Sequence, residues 1–220
     1  MTDAGEVGPE GIKNLPTIAR GDLPVTLLDA YRRSVLVAWD IETSGLDWRQ
    51  AQIGTCQLFA PGIGAAVISL TSGARPTGLV SLLEDPRVSK VFHHAPFDLR
   101  FMMHAWGVKP ASIRCTKVAS KLVEPAVPND VHSLQSLVAR YLGVNLQKGE
   151  IRTSDWTADS LSPEQVQYAA ADVLYLPALL ASLNARLAAL GLGWLYDRCC
   201  EFLPARAVLE LGDYPDVFAY

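Results

Sequence analysis

Residues 34–43 read Ser34-Val35-Leu36-Val37-Ala38-Trp39-Asp40-Ile41-Glu42-Thr43. The run from Ser34 to Ile41 is nearly continuously apolar and rich in valine, which predicts a strand buried on both faces. Asp40 and Glu42 are two residues apart, so on a strand their side chains share a face. Two carboxylates at the end of an apolar strand are costly to bury unpaired, and a hard divalent cation such as Mg²⁺ or Mn²⁺ is a direct remedy. A strand that simply ends there, with both acids in water, reads about equally well from these residues alone.

The flanking sequence extends this strand into an α/β unit. Gly54–Ala60 and Ala65–Leu70 are two further short strands, and Pro61-Gly62 with Gly64 supplies the turn between them. Early antiparallel pairing of the three follows. Gly78–Leu83 predicts a short helix and Lys90–His93 a strand. Pro96–Trp106 predicts a helix with proline at its start and Gly107 just past its end, as helix termini prefer. Ile113–Cys115 reads as a strand, and Lys117–Val123 and Ser133–Leu142 as helices. Ser162, Pro163 and Gln165 form a capping-box start for a long helix through Leu190, with a kink at Pro177. A last helix begins at Trp194 and leads into an irregular apolar tail. The domain reading is a polar leader over 1–23, one α/β domain over 24–192, and a terminal helix and tail over 193–220 in oligomer contacts.

Composition bounds the function. The chain has 220 residues, 50% of them hydrophobic and 19% charged, which is ample for one core and excludes disorder as an overall description. No apolar run reaches the roughly 18 residues of a membrane helix. The acidic, mixed start (Asp3, Glu6, Glu10) does not read as a signal peptide, so the expectation is a cytoplasmic protein. Lys plus Arg is 19 against 23 Asp plus Glu, a net charge of −4. Long-polymer nucleic-acid binders ordinarily carry the opposite surplus, so a small anionic substrate, or one whose charge is met by metal ions, fits better. The four cysteines, Cys56, Cys115, Cys199 and Cys200, make no C-x-x-C pair and read as reduced thiols.

Two more acids complete the candidate site. Asp98 falls in the first turn of the helix at 96–106, where an acid also offsets the helix dipole. Tyr168 and Asp172 are four apart on the long helix and share a face. Ala169, Ala170 and Ala171 lie between them and permit close approach to a strand. Each element has a plain structural reading when taken singly.

Together they resemble the DEDD exonuclease superfamily, whose fold is ribonuclease H-like (DnaQ-like): a mixed sheet flanked by helices. Three motifs match in order: Asp40-Ile41-Glu42-Thr43-Ser44-Gly45-Leu46, then Val91-Phe92-His93-His94-Ala95-Pro96-Phe97-Asp98-Leu99, then Tyr168-Ala169-Ala170-Ala171-Asp172-Val173. The Tyr-x-x-x-Asp spacing is that of the tyrosine (DEDDy) subtype. Ser154-Asp155-Trp156 resembles the ribonuclease D branch. Arg114–Leu122 and the ending Phe202-Leu203-Pro204-Ala205-Arg206 with Asp216-Val217-Phe218-Ala219 are similar to the short group without HRDC domains called NrnC, or nano-RNase C.

This resemblance implies a 3′-5′ exoribonuclease acting on short oligoribonucleotides, dinucleotides above all, and a ring-shaped homo-oligomer, an octamer in the family pattern. It implies two divalent cations, Mg²⁺ or Mn²⁺, held by Asp40, Glu42, Asp98 and Asp172, with Tyr168 orienting the attacking water. Substrate contacts are expected from Thr43, Leu46 (as a wedge between bases), His94, His132 and Lys117. One departure stands out: the family pattern Asp-Arg-His-Gly-Leu is here Asp130-Val131-His132-Ser133-Leu134, without the arginine. Two other functions remain open on the residues: a general 3′-5′ exonuclease on longer RNA or DNA, and a noncatalytic nucleic-acid-binding assembly protein.

Overall fold

The computed structural model describes residues 15–146 and 150–219. Its centre is a six-stranded mixed sheet in the order β1-β4-β3-β2-β5-β6. The strands are β1 (Thr17–Arg20), β2 (Leu36–Thr43), β3 (Ile53–Ala60), β4 (Gly64–Ser69), β5 (Ser89–Phe92) and β6 (Ile113–Cys115). β2, β3 and β4 form the expected antiparallel meander, and β5 and β6 extend it in parallel with β2. Val37, Ala38 and Trp39 are fully buried, as the valine-rich run predicts for a central strand covered on both faces.

Eight helices flank the sheet among the described residues: α1 (Val25–Arg32), α2 (Thr77–Leu83), α3 (Ala95–Trp106), α4 (Thr116–Val123), α5 (Leu134–Leu142), α6 (Pro163–Leu174), α7 (Leu176–Ala189) and α8 (Gly193–Leu211). Helix α3 ends at Gly107, whose φ of 62° is the left-handed conformation that glycine adopts without a Cβ penalty. The capping box of α6 forms as the sequence predicts. Ser162 Oγ accepts from the Gln165 N–H at 3.2 Å, and Gln165 Oε1 accepts from the Ser162 N–H at 2.8 Å. The long helix is two helices meeting at Tyr175, two residues before Pro177, which lacks the donor needed to continue the ladder.

Three findings revise the sequence reading. Thr17–Arg20, placed in the polar leader, instead forms β1 and pairs in parallel with β4 at the sheet edge. Asp22, just beyond it, accepts from the N–H groups of Gly78 at 2.6 Å and Leu79 at 3.0 Å, so it caps α2 from a distance in sequence. A four-residue edge strand and a non-local cap leave no periodic pattern to detect. Second, α1 lies where no element was predicted, and Tyr31 on it is fully buried with its hydroxyl donating to the Gly64 carbonyl at 3.1 Å. Third, Pro163–Ala189 together is long and apolar enough by composition to cross a membrane, with mean hydropathy 1.4, although its most apolar stretch is 56% buried within the fold. Its alanine- and leucine-rich character serves packing: Leu176, Leu179, Leu183 and Leu187 all enter the core. The rest of the expected leader, 1–14, and the terminal Tyr220 lie outside the described residues.

The segment before α6 is locked to the sheet at Gly54. A Cβ built on Gly54 stands 2.6 Å from the carbonyl carbon of Trp156, against backbone that cannot swing aside. Gly54→Ala is therefore expected to lower stability by about 1–3 kcal/mol through overpacking, measured as a fall in the chemical-denaturation midpoint without change in the slope.

Candidate active site

Asp40 and Glu42 project from the C-terminal end of β2, next to a register shift between Glu42 and Thr43. The chain then leaves the sheet in a tight loop. The Ser44 N–H donates to the Gln52 carbonyl at 2.9 Å, Ser44 Oγ accepts from the Gln52 N–H at 2.9 Å, and Thr43 Oγ1 donates to the Gly45 carbonyl at 2.6 Å. These bonds hold the loop open and leave Leu46 83% exposed at its tip. Asp98 comes from the first turn of α3, and Tyr168 and Asp172 from one face of α6. Helix α6 packs on β2, β3 and β4. Its Ala169 and Ala170 are buried there, small enough to bring the helix close to the strands.

These elements enclose a cavity of about 660 Å³. Its walls include Asp40, Glu42, Thr43, Leu46, His93, His94, Asp98, Tyr168 and Asp172. Carboxylate oxygens of Asp40, Glu42 and Asp172 lie within 4.8 Å of one another. Asp98 is 2% exposed, and its Oδ1 has no hydrogen-bond partner among the described residues. Burial raises the Asp98 pKa well above the ordinary carboxylate range, the negative charge of Asp40 adds to it, and backbone N–H groups of Asp98 and Ile41 offset it in part. Acids confined in this way repel one another and offer hard oxygen donors, the setting that suits Mg²⁺ or Mn²⁺.

Tyr168 is buried, and its ring meets that of Trp156 with centroids 5.8 Å apart. The segment that carries Trp156 is tied to α6 by Gln165, whose Nε2 donates to Ser154 Oγ at 3.0 Å and to the Asp155 carbonyl at 2.9 Å. Gln165 thus caps the helix and fixes the wall of the cavity at Ser154 together. The Asp155 carboxylate does not face the acids; it accepts from the N–H and hydroxyl of Thr157.

His94 adopts a left-handed conformation with φ 68°, which costs a non-glycine residue energy and here turns the chain sharply from β5 into α3. Its side chain has outward surface, yet neighbouring atoms crowd the imidazole. Burial first, then Lys117, Arg100, Arg206 and Lys121, push its pKa down to about 4, so it is neutral at pH 7. Lys117 does not line the acidic cavity; it stands on α4 beside His94. Burial and Lys121 lower its own pKa. Arg100 and Arg206 are both paired with Glu210.

His132 departs from the sequence expectation. It is 1% exposed, its Nδ1 lies 3.0 Å from Ser120 Oγ, and it does not line the cavity. The short 3₁₀ turn at Asn129–His132 tucks the ring under α4. A direct substrate contact from His132 is thus not available in this arrangement. His93 lines the cavity, with Nδ1 2.9 Å from Thr116 Oγ1. Trp48 and Trp106 are both core residues. The sequence reading missed Gln57, which donates from Nε2 to Asp40 Oδ2 at 2.8 Å. Its only signal is a single amide in the otherwise apolar run Cys56–Ala60, and it acquires meaning only from the strand register.

Comparison with known proteins agrees with this geometry. A family model described as 3′-5′ exonuclease matches residues 17–188. Ribonuclease D of Escherichia coli is 31% identical over 189 residues, which is 84% of this chain and 48% of that protein. The chain spans about half the length, or less, of the curated relatives it matches. The solved structure of Brucella melitensis NrnC is 38% identical and superposes with a TM-score of 0.86 over 93% of this chain and 98% of that one. The Brucella protein has also been solved with bound Mg²⁺ and bound to pGG. E. coli ribonuclease D superposes with a TM-score of 0.71 at 29% identity, over 83% of this chain and 47% of that one. With its three acidic motifs on a ribonuclease H-like α/β fold, the chain belongs to the 3′-5′ exonuclease family of the ribonuclease D and NrnC type.

Proposed function

We propose that the protein hydrolyses the 3′-terminal phosphodiester of short oligoribonucleotides, dinucleotides foremost, and releases 5′-mononucleotides. The observation that carries this reading is the meeting of Asp40, Glu42 and Asp172 within 4.8 Å, in one cavity with the buried Asp98 and Tyr168. This donor set fits two divalent cations, Mg²⁺ or Mn²⁺, held by Asp40, Glu42, Asp98 and Asp172. When bound, such ions stabilise charge on phosphoryl oxygens and lower the pKa of a coordinated water.

The chain's own groups do the positioning. Tyr168, braced by Trp156, presents a phenol that orients the attacking water. A phenol with a pKa near 10 is a poor base by itself, so orientation is its role. Leu46, apolar and exposed at the lip, wedges between two bases. The wall at Thr43 supports the loop that carries it. Lys117 and neutral His94 offer a phosphate contact beside the cavity. The near-complete overlap with Brucella NrnC, which has been solved bound to pGG, supports a short substrate over the longer RNA of a ribonuclease D-type enzyme. The net charge of −4 argues the same way, because tracking a long strand draws on many cationic contacts.

The same reading extends to assembly. Trp194, Val208, Tyr214, Val217 and Phe218 on and after α8 are more than half exposed. Phe218 folds back on Phe202 at 5.6 Å without being buried by it. Exposed large apolar side chains gathered on one terminal segment mark an interaction surface, and in this reading a closed symmetric homo-oligomer covers them. Sedimentation at micromolar concentration is expected to show an oligomer; a monomer rules this out.

Two further outcomes test the site. For substrate, kcat/KM on a 5′-phosphorylated diribonucleotide should exceed that on a twenty-mer RNA by a wide margin. Removing the 5′ phosphate should weaken the dinucleotide by about 2–4 kcal/mol if charge-assisted contacts are lost. Equal kcat/KM on dinucleotide and twenty-mer would leave a general exonuclease. For Asp98, an acid whose folded pKa is raised destabilises the fold as pH climbs above its unfolded value, and the penalty is complete above the folded pKa. Metal-free Asp98→Asn should therefore melt higher than metal-free wild type at pH 7, and the difference should shrink as pH falls toward the unfolded carboxylate pKa. The same variant should gain less thermal stability from added Mn²⁺ and should lose hydrolysis.

A further inference from the structure

Strand β3 runs antiparallel to β2 with Asp40 opposite Gln57 and Glu42 opposite Thr55. Directly opposed residues of an antiparallel pair stand on the same face with their Cβ atoms close together. Both acids of the first motif therefore have a polar partner across the ladder, on a strand otherwise built of apolar residues. Gln57 and Thr55 are each fully buried. An amide placed there is unfavourable unless its hydrogen bonds are made. They are made in a chain: Thr55 Oγ1 donates to Gln57 Oε1 at 3.1 Å, and Gln57 Nε2 donates to Asp40 Oδ2 at 2.8 Å.

The chain has a direction. An ionised Asp40 only accepts, so it takes the amide nitrogen, and the amide oxygen is left to accept from the Thr55 hydroxyl. The reverse orientation would set an amide oxygen against a carboxylate. Such a network is what assigns an amide's orientation. The chemistry of the donor matters as well. A lysine or arginine at this position would also hold Asp40, but it would neutralise the carboxylate and oppose a metal cation. A neutral amide fixes the plane of the carboxylate and leaves its full negative charge.

We propose that Gln57 is the positioning residue for Asp40, with Thr55 setting Gln57, so that strand β3 orients a metal-binding carboxylate it does not itself supply. The inference rests on the assignment of Asp40 as a metal ligand in the function proposed above. Partners one shell away from a metal typically change affinity or activity by about 10–100-fold when removed.

The test is Mn²⁺ binding to the full chain by calorimetry, with thermal midpoints of the metal-free proteins as the control for folding. Gln57→Leu should weaken Mn²⁺ binding by about 10–100-fold. Thr55→Val should weaken it by less. In the Gln57→Leu background, Thr55→Val should add no further loss, because both act through one contact. A purely structural role would lower the metal-free midpoint and give losses that add. Wild-type affinity in Gln57→Leu, or additive losses in the double variant, overturns the inference. Should Gln57→Leu fail to fold, the shape-conserving Thr55→Val carries the test, and unchanged affinity overturns it. Asp40→Asn separates the two levels. If Asp40→Asn loses Mn²⁺ binding while Gln57→Leu keeps it, only the role of Gln57 falls. If Asp40→Asn binds normally, the assignment of Asp40 falls with it.

Discussion

Confinement of negative charge organises this molecule. Two like charges about 4 Å apart near a protein surface repel by roughly 4 kcal/mol, and Asp40, Glu42 and Asp172 bring carboxylate oxygens within 4.8 Å. Asp40 and Glu42 are partly open to solvent, which screens them, whereas Asp98 is buried and receives little relief. A fold tolerates such an arrangement only if rigid neighbours impose it. Here β2 is one of the two central strands, α3 begins directly after β5 beside it, and α6 lies across β2, β3 and β4. The backbone position of each acid is therefore fixed by an element of the core.

The same rigidity shapes the rest of the cavity. Gln165 joins helix cap to cavity wall, and Gly54 leaves room for the backbone of Trp156, whose ring braces Tyr168. The loop from Thr43 to Gln52 is closed by its own hydrogen bonds, so Leu46 is held outward rather than buried. Around His94 a cationic group of side chains, Lys117 and Lys121 with Arg100 and Arg206, stands next to the acidic one. Arg100 and Arg206 are held by Glu210, so within this group the two lysines of α4 are the cations without an acid partner among the described residues.

Much of this was legible in the sequence. The valine-rich run ending in Asp40 and Glu42 marked a central strand, because burial on both faces suppresses alternation. The capping box at Ser162–Gln165, the glycine after α3 and the four-residue spacing of Tyr168 and Asp172 are local signals with local causes, and they give helix starts, ends and faces without tertiary information. Conversely, β1 and α1 are short and gain their stability from partners far along the chain: Ser69 and its strand, the α2 N-terminus at Asp22, and the Gly64 carbonyl at Tyr31. His132 read as a candidate phosphate contact because a histidine beside a family motif is chemically apt, and only packing decided that it faces Ser120 inside.

By itself the sequence determined which residue types could carry the chemistry and which of them share a face: Asp40 with Glu42 at a period of two, Tyr168 with Asp172 at a spacing of four. Those periods are fixed by backbone geometry and hold in any fold that forms the strand and the helix. The tertiary structure decided which faces meet. It set Asp98 against Asp40, put Gln57 across the ladder from Asp40 through the β2–β3 register, and buried His132. Register and packing arise from contacts between distant segments, and a one-residue slip of β3 would have turned Gln57 to the opposite face.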